Sequence, residues 1–240
     1  MYKTFLFDLD GTLTDPKEGI VNSVLYALKK VGIEEVHISE LDSFIGPPIQ
    51  QSFVERYNMS EGEVERAVFY FREYLKQRGL FEKNVYEGIL KLLQQLKSSG
   101  NRIFVATSKP TVFAKQVIEH FQLTNYFEDI IGSNLDGTRI KKEEIIAHIL
   151  QKNEELNKEE MIMIGDRKHD IIGANQNGIA SIGVLYGYGC EKELTEVSAT
   201  YIVKDVEEAV SFLCREKFNT AVNIDSSNPF ITYDDEFVSV

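Results

Sequence analysis

The stretch Thr4-Phe5-Leu6-Phe7-Asp8-Leu9-Asp10-Gly11-Thr12 places two aspartates and a glycine directly after a short apolar run. The run Thr4–Phe7 is typical of a strand that is buried on both faces. Open parallel sheets bind their ligands at the carboxyl ends of the strands, where Asp8 and Asp10 fall. Gly11 allows the chain to turn, which frees the backbone of Asp10 to offer its carbonyl. The stretch therefore predicts a site at the edge of a parallel sheet.

Further apolar runs recur along the chain, and amphipathic stretches of helical length lie between most of them. Strands that alternate with helices in this way predict an α/β fold, a parallel sheet with helices on both faces. The further predicted strands are Arg102–Ala106, Asp129–Gly132, Met161–Ile164, Ser181–Leu185 and Tyr201–Val203. The predicted helices between them are Gly88–Ser98, Val112–Phe121, Lys142–Gln151, Asp170–Asn177 and Val206–Leu213.

One segment breaks the alternation, because Lys17–Glu82 has helical periodicity almost throughout and no convincing strand. We interpret it as a helical insertion after the first strand. The predicted division is then a core of 1–16 and 84–214, a helical insertion of 17–83, and a weakly ordered C-terminal tail of 215–240, where no sustained period is visible.

Composition and charge limit the partners. The chain has 38 acidic and 26 basic residues and a formal net charge of -12, which disfavours nucleic acid and anionic membranes. No run approaches the roughly 20 apolar residues that span a bilayer, and the N-terminus lacks a secretory leader. Cys190 and Cys214 match no metal-binding motif. These features predict a cytoplasmic protein, while a bound metal and a lysine can still admit a small anionic substrate.

A second acidic motif follows another buried strand, where Ile162–Ile164 runs into Gly165 and Asp166, and Asp170 comes four residues later. These carboxylates and those of Asp8 and Asp10 are predicted to meet at one sheet edge. Four crowded acidic groups repel unless a divalent cation joins them, and carboxylates suit Mg²⁺. The sequence therefore predicts a magnesium site, although Asp170 is also suited to capping a helix.

Phosphate-binding candidates occur at a strand-to-helix junction and at a predicted helix start. Thr107 and Ser108 follow Arg102–Ala106 at a strand-to-helix junction, where hydroxyls and backbone donors can hold a phosphate. They are also ordinary helix caps. Lys141 and Lys142 stand at the start of the predicted helix Lys142–Gln151, where a lysine can balance the charge of a phosphoryl transition state. Lys142 is the favoured candidate, and the sequence alone separates the two only weakly.

The two aspartates of the opening stretch suit different tasks. In our interpretation, Asp8 attacks phosphorus to form an acyl-phosphate, and Asp10 first protonates the leaving oxygen and then activates water. Two aspartates at this spacing also occur in glycosyltransferases and in solvated turns. The turn Phe44–Pro48 interrupts the helical insertion, and its neighbourhood supplies candidate substrate contacts, unless it is a plain connector. These candidates are Gly46, Pro47 and Gln50.

Four ordered motifs together resemble the haloacid dehalogenase superfamily of phosphohydrolases: DLDGT at Asp8–Thr12, a strand ending in Thr107, a helix opened by Lys142, and GDxxxD at Gly165–Asp170. The resemblance covers about Tyr2–Leu213. It implies a Rossmann-like three-layer core with a mobile helical cap of the C1 type and Mg²⁺ as cofactor. It also implies that the metal is held by the carboxylate of Asp8, the backbone carbonyl of Asp10 and Asp166, with Asp170 beside a ligand.

The position of the insertion is similar to that in phosphoglycolate phosphatase and β-phosphoglucomutase. The resemblance therefore implies Mg²⁺-dependent hydrolysis of a small phosphorylated metabolite by a monomer or homodimer. The presence of Asp10 favours phosphoryl transfer over carbon–halogen cleavage. A sugar phosphomutase and a non-catalytic regulatory module are the alternatives, although phospho-receiver modules lack the insertion and the second aspartate. The sequence does not choose among phosphoglycolate, a nucleoside monophosphate, a sugar phosphate and pyrophosphate.

Overall fold

A parallel six-stranded sheet forms the centre of the protein. The computed structural model describes residues 2–33 and 37–214, so the predicted tail of 215–240 lies outside the described residues. The strands in these ranges are β1 (Thr4–Phe7), β2 (Thr14–Asp15), β3 (Asn84–Val85), β4 (Arg102–Pro110), β5 (Asp129–Ser133), β6 (Met161–Gly165), β7 (Ala180–Val184) and β8 (Tyr201–Val203).

The large sheet has the order β5-β4-β1-β6-β7-β8, and all its neighbours run parallel. Strand β1 lies at its centre because β4 and β6 pair on either side. Phe5 and Phe7 enter one hydrophobic core, whereas Leu6 between them enters the other. Alternate side chains of a strand point to opposite faces, so both faces of the sheet must be covered. This requirement explains why Phe5, Leu6 and Phe7 are all apolar.

Helices cover both faces, and the predicted α/β, Rossmann-like three-layer architecture is confirmed. Ile145 and Ile149 pack under one face with Leu6, and Leu92 and Val117 lie in the core of the other face. The helices are α1 (Lys17–Lys30), α2 (Ile49–Tyr57), α3 (Glu61–Tyr74), α4 (Ile89–Ser98), α5 (Thr111–His120), α6 (Lys142–Lys152), α7 (Lys168–Asn177), α8 (Glu191–Glu196) and α9 (Val206–Cys214). None of the helices in the described ranges combines the length and apolarity needed to cross a bilayer.

The segment between β2 and β3 is helical, as predicted. It contains α1, α2, α3, a 3₁₀ helix at Ile38–Phe44 and a π-helical turn at Leu75–Gly79. Strands β2 and β3 pair antiparallel where the chain enters and leaves this segment. Sequence analysis missed this pair because two residues per strand are too few to show a period. The pair lies beside the predicted boundaries 16/17 and 83/84, and the division into core and insertion stays a prediction.

Several predicted element ends differ from the structure by one residue, and two differ by more. Strand β4 continues to Pro110 instead of ending at Ala106, and α7 begins at Lys168 instead of Asp170. Ends of elements depend on local hydrogen bonds that an apolar period does not encode.

Candidate active site

Three buried carboxylates meet at the carboxyl edge of the sheet. Asp8 follows β1, Asp166 follows β6, and Asp170 lies in the first turn of α7. Parallel pairing sets Phe7 beside Ile164, so the residues after them are neighbours. One carboxylate oxygen from each aspartate lies within 4.8 Å of the others. The structure therefore brings together three of the four predicted metal ligands.

Burial strongly disfavours three negative charges at this place. It raises the pKa of Asp8 to about 6, an effect that Asp170 strengthens and that Lys142 opposes. Burial, with Asp170 and Asp8 nearby, also raises the pKa of Asp166 well above its ordinary value. A divalent cation would remove this penalty, because it favours the ionised form of each ligand.

The surroundings of Asp166 leave room for its carboxylate and hold it in place. The backbone N–H of Tyr188 donates to Asp166 Oδ2 at 2.8 Å, and the Thr12 hydroxyl donates to Oδ1 at 3.4 Å. Gly11 has a φ of 89°, and a Cβ there would lie 2.3 Å from Asp166 Oδ2. Only a glycine fits against the carboxylate at this turn. Buried, oriented carboxylate oxygens are the hard ligands that Mg²⁺ prefers, so these residues fit that ion.

Asp170 has two roles in this arrangement. Its Oδ2 accepts a hydrogen bond of 3.1 Å from the backbone N–H of Arg167 and so caps α7. Its Oδ1 lies 2.5 Å from Lys142 Nζ, although without hydrogen-bond geometry. Asp170 therefore caps α7 and also belongs to the carboxylate cluster, and its place beside a metal stays a prediction.

The two lysines at the start of α6 differ sharply. Lys142 is buried, and its Nζ lies 2.8 Å from Asp8 Oδ1 and donates to the carbonyl of Ala106 at 2.9 Å. Although burial alone lowers the pKa of Lys142, its contacts with Asp170 and Asp8 raise it overall. Lys141 is exposed. The geometry thus favours Lys142 as the cation beside Asp8.

Asp10 stands apart from the three-carboxylate cluster and is held by two lysines. Its Oδ1 lies 2.6 Å from Lys83 Nζ, and its Oδ2 lies 2.5 Å from Lys109 Nζ. Burial raises the pKa of Asp10, but Lys109 and Lys83 outweigh burial and hold it below its ordinary value. Burial lowers the pKa of Lys83 to about 8. The side chain of Asp10 is therefore a poor candidate for a metal ligand, and only its backbone carbonyl stays a predicted one.

Sequence analysis missed both of these lysines as site residues. Lys109 directly follows the two phosphate-binding candidates Thr107 and Ser108 in the sequence, and this proximity was a usable signal. Lys83 is separated from Asp10 by the whole helical segment. It reaches the site because β3 pairs with β2, a contact with no sequence signal of its own.

Thr107 and Ser108 lie within β4 and not at the start of α5, which begins at Thr111. They lie on the strand side of the predicted strand-to-helix junction, because β4 extends to Pro110, which pairs with Ser133 of β5. They are therefore not caps of α5. Thr107 is buried, and both residues line the same cavity as Asp8.

This cavity lies between the sheet edge and the helical segment. Its sheet side contains Asp8, Asp10, Thr107, Ser108 and Lys109. Its other side contains the predicted substrate contacts and further residues of the helical segment: Phe44, Gly46, Pro47, Gln50, Phe71 and Arg72. The structure thus brings Thr107, Ser108 and the predicted substrate contacts around one space, whereas Lys142 lies behind Asp8 and does not line it.

Gly46 has a structural constraint besides its position in the cavity. Its φ is 100°, and a Cβ there would lie 2.6 Å from Arg167 Cγ. Arg167 Nη1 donates to the neighbouring carbonyl of Ile45 at 2.5 Å, and Arg167 Nε donates to Glu193 at 3.0 Å. Arg167 follows the metal-site aspartate Asp166, so this contact ties the turn of the helical segment to the carboxylate cluster.

Comparisons with known proteins agree on one family. Residues 5–184 match the sequence model of the haloacid dehalogenase-like hydrolases. A protein of Pseudomonas aeruginosa named 5'-nucleotidase is 48% identical over 85% of this chain and 92% of its own length. A crystal structure of a predicted phosphatase from Clostridium acetobutylicum superposes with a TM-score of 0.86 at 47% identity, covering 90% of this chain and 99% of that one.

Other relatives have different names. Tyrosine-protein kinase PtkA of Mycobacterium tuberculosis is 36% identical over 82% of this chain and 67% of its own length. At lower similarity, a phosphoglycolate phosphatase of Vibrio parahaemolyticus is 25% identical over 86% of this chain and 93% of its own length. All three names denote enzymes that transfer or hydrolyse phosphoryl groups, but each name gives a different substrate.

Proposed function

The chain belongs to the haloacid dehalogenase-like hydrolase family and is a phosphatase, and we propose that it hydrolyses small phosphomonoesters with Mg²⁺ through an aspartyl-phosphate on Asp8. One observation carries the proposal. Asp8 lines the cavity together with Thr107 and Ser108, and its buried carboxylate contacts Lys142 and lies beside the other two carboxylates. A nucleophile, a cation and hydroxyl donors therefore converge where a phosphoryl group would sit.

In the proposed first step, a carboxylate oxygen of Asp8 attacks phosphorus, and the ester P–O bond breaks. The leaving oxygen takes a proton from Asp10 and departs as an alcohol. In the second step, water attacks the phosphorus of the aspartyl-phosphate and gives a proton to Asp10. The bond between phosphorus and Asp8 then breaks, which releases inorganic phosphate and restores both aspartates.

Lys83 and Lys109 keep the carboxylate of Asp10 ionised, which is the form that accepts a proton in the second step, but the lowered pKa also makes it a weaker base. For the first step, Asp10 must gain a proton before it can give one. We therefore propose that the two ion pairs loosen when substrate enters. Lys109 lines the cavity and can turn its charge toward the phosphoryl group.

Lys142 would stabilise the charge that develops on the phosphoryl oxygens and would hold Asp8 in position. Its ammonium group is fixed by Asp170 and by the carbonyl of Ala106, so it needs little rearrangement during the reaction. Mg²⁺ held by Asp8, Asp166 and the backbone carbonyl of Asp10, with Asp170 beside it, would neutralise charge on the phosphoryl group and on these carboxylates.

We further propose that residues 17–83 act as a cap over a core of 1–16 and 84–214, so that the cavity closes around the substrate and excludes water. The partner would be a small phosphorylated metabolite of the cytoplasm, and the net charge of -12 disfavours nucleic acid and anionic membranes as partners. The relatives named 5'-nucleotidase and phosphoglycolate phosphatase make a nucleoside monophosphate and phosphoglycolate the first substrates to test.

The test is hydrolysis of a phosphate-ester panel with Mg²⁺ by the parent, Asp8→Asn and Asp10→Asn. We expect Asp8→Asn to lose at least about 1,000-fold in kcat, and Asp10→Asn to lose about 100- to 10,000-fold. Acid quenching during turnover should trap labelled phosphate on the parent in a form that hydroxylamine releases. Unchanged turnover by Asp8→Asn would contradict the proposal.

The same panel separates the alternatives. A strict requirement for a sugar bisphosphate, with no net release of phosphate, would indicate a phosphomutase. Phosphate binding without turnover of any ester would indicate a non-catalytic module.

A further inference from the structure

The lining of the proposed active-site cavity includes a positively charged side chain, Arg72, that the proposed chemistry does not use. This lining includes four charged residues: Asp8, Asp10, Lys109 and Arg72. Lys109 is paired with Asp10, and Asp8 is paired with Lys142. Among the residues that the structure describes, no carboxylate lies within 4 Å of the Arg72 guanidinium. The pairing therefore leaves one positive charge in the cavity without a counterion.

Arg72 is held in place by the protein backbone and not by an acid. Its Nη1 donates to the carbonyl of Leu135 at 3.2 Å. Leu135 follows β5, whereas Arg72 lies on α3, so this hydrogen bond joins the helical segment to the region beside the sheet. A carbonyl oxygen orients the guanidinium but leaves its charge and most of its N–H donors free.

Partial burial makes the unpaired positive charge of Arg72 less favourable than it would be in water. The side chain is partly buried, and burial lowers the pKa of Arg72. Gln50 lines the same cavity, and its amide has no hydrogen-bond partner among the described residues. Arg72 and Gln50 also line a second, wider cleft, so they stand where the catalytic cavity opens toward it. A planar guanidinium in such a place is well suited to a carboxylate or phosphate, which it can bind through two parallel hydrogen bonds.

We propose that Arg72 binds a second anionic group of the substrate, a carboxylate or a phosphate, and thereby selects phosphomonoesters that carry one. This inference rests on the proposed function, because it places the scissile phosphoryl group at Asp8. Gln50 would donate a further hydrogen bond to the same group or to the carbon chain beside it. The substrate class is then a small metabolite with a phosphomonoester at one end and a second anion at the other.

The test uses substrate pairs that differ in the second anion. Phosphoglycolate is compared with 2-hydroxyethyl phosphate, in which a neutral hydroxymethyl group replaces the carboxylate. A nucleoside 3',5'-bisphosphate is compared with the 5'-monophosphate, which distinguishes a phosphate from a carboxylate as the second group. We expect the parent to prefer the doubly anionic member of at least one pair by about 10- to 100-fold in kcat/KM.

The variants are Arg72→Gln and Arg72→Lys, with Arg66→Gln as the matched control, because Arg66 lies on the exposed side of the same helix. Arg72→Gln should reduce the preference ratio by about 10- to 100-fold, mainly through KM. Arg72→Lys should restore part of it, and Arg66→Gln should keep the parental ratio. A merely structural role of Arg72 would lower both members of a pair equally and would leave the ratio unchanged.

The experiment distinguishes a failure of the role proposed for Arg72 from a failure of the proposed phosphatase function. If the parent hydrolyses both members of each pair equally well, or if Arg72→Gln keeps the ratio, the role of Arg72 is overturned while the phosphatase proposal stands. If the parent hydrolyses no member of either pair with Mg²⁺, and none of the wider panel, the proposed function fails together with this inference.

Discussion

At the scale of single residues, the proposed site is a balance of buried charges. Four aspartates meet three lysines there: Asp8, Asp10, Asp166 and Asp170 against Lys83, Lys109 and Lys142. The lysines contact Asp8, Asp10 and Asp170, whereas Asp166 has only hydrogen-bond donors. Four negative and three positive charges leave one negative charge over, and a divalent cation would reverse that sign and admit a phosphate dianion.

A change of Lys142 tests this balance. Lys142→Met leaves Asp8 and Asp170 without their cation, so we expect a loss of about 3 kcal/mol in the free energy of unfolding. Phosphatase turnover should fall by about 100- to 1,000-fold, because the charge beside the phosphoryl group is lost. Denaturant unfolding and steady-state kinetics measure the two effects. Lys141→Met is the control, and an effect of equal size there would show that the two lysines are not distinguished by burial.

The role of Lys83 can be tested by measuring how its removal changes the pKa of Asp10. Lys83 contributes to holding the pKa of Asp10 below its ordinary value, so Lys83→Met should raise that pKa. Carboxyl ¹³C NMR of the metal-free protein, with Asp10→Asn to identify the signal, measures the shift. Lys76→Met is a suitable control because Lys76 is exposed. If Asp10 has the same pKa in Lys83→Met as in the parent, the ion pair between Lys83 and Asp10 does not persist in solution.

At the scale of elements, the position of each chemical group depends on how a strand or helix ends. Strand β4 extends to Pro110, and this extension places Thr107 within the sheet instead of at a helix start. The short pair β2–β3 brings Lys83 next to Asp10. The turn after the 3₁₀ helix Ile38–Phe44 packs against Arg167, which joins the helical segment to the carboxylate cluster.

Two glycines of the helical segment should respond oppositely to alanine. Gly46 has a left-handed backbone and no space for a Cβ beside Arg167, so Gly46→Ala should lower the free energy of unfolding by about 1–3 kcal/mol and reduce kcat/KM. Gly62 lies in α3 with open space around it, so Gly62→Ala should raise the free energy of unfolding by about 0.5–1 kcal/mol. Urea unfolding measures both. Equal effects of the two changes would contradict the close packing at Gly46.

At the scale of the whole molecule, the sheet order decides which motifs meet. Because β1 lies between β4 and β6, residues that follow these three strands share one edge, and α6 delivers Lys142 to the same place. The helical segment covers that edge and supplies Gly46, Gln50 and Arg72. The cavity therefore depends on both parts of the chain, and the proposed metal site would link its stability to protons and metal.

This linkage predicts a pH-dependent effect of Mg²⁺ on stability. Since the pKa of Asp8 is raised to about 6, its proton stabilises the metal-free protein fully below about pH 4, and this contribution is lost as the pH rises through about 6. Above that pH, Mg²⁺ can replace the proton. At saturating Mg²⁺ we expect Tm to rise by about 5–10 °C at pH 7.5 and much less at pH 5.

Differential scanning fluorimetry with Mg²⁺ or a chelator measures this effect, and Asp166→Asn should lose most of the rise at pH 7.5. An equal rise at both pH values would show that protons and metal do not compete at these carboxylates. The lack of any rise at pH 7.5 in the parent would contradict the proposed metal site.

The sequence by itself determined the sheet, most of its helices and the placement of Asp8, Asp166 and Thr107 near strand ends, because apolar periodicity and short motifs are local properties. Only the tertiary structure decided that Asp10 is held by Lys83 and Lys109, that Lys142 and not Lys141 contacts Asp8, and that Arg72 enters the cavity without a counterion. These contacts join segments far apart in the chain, and a side chain's partner is set by how those segments pack. No local pattern in the sequence encodes that packing.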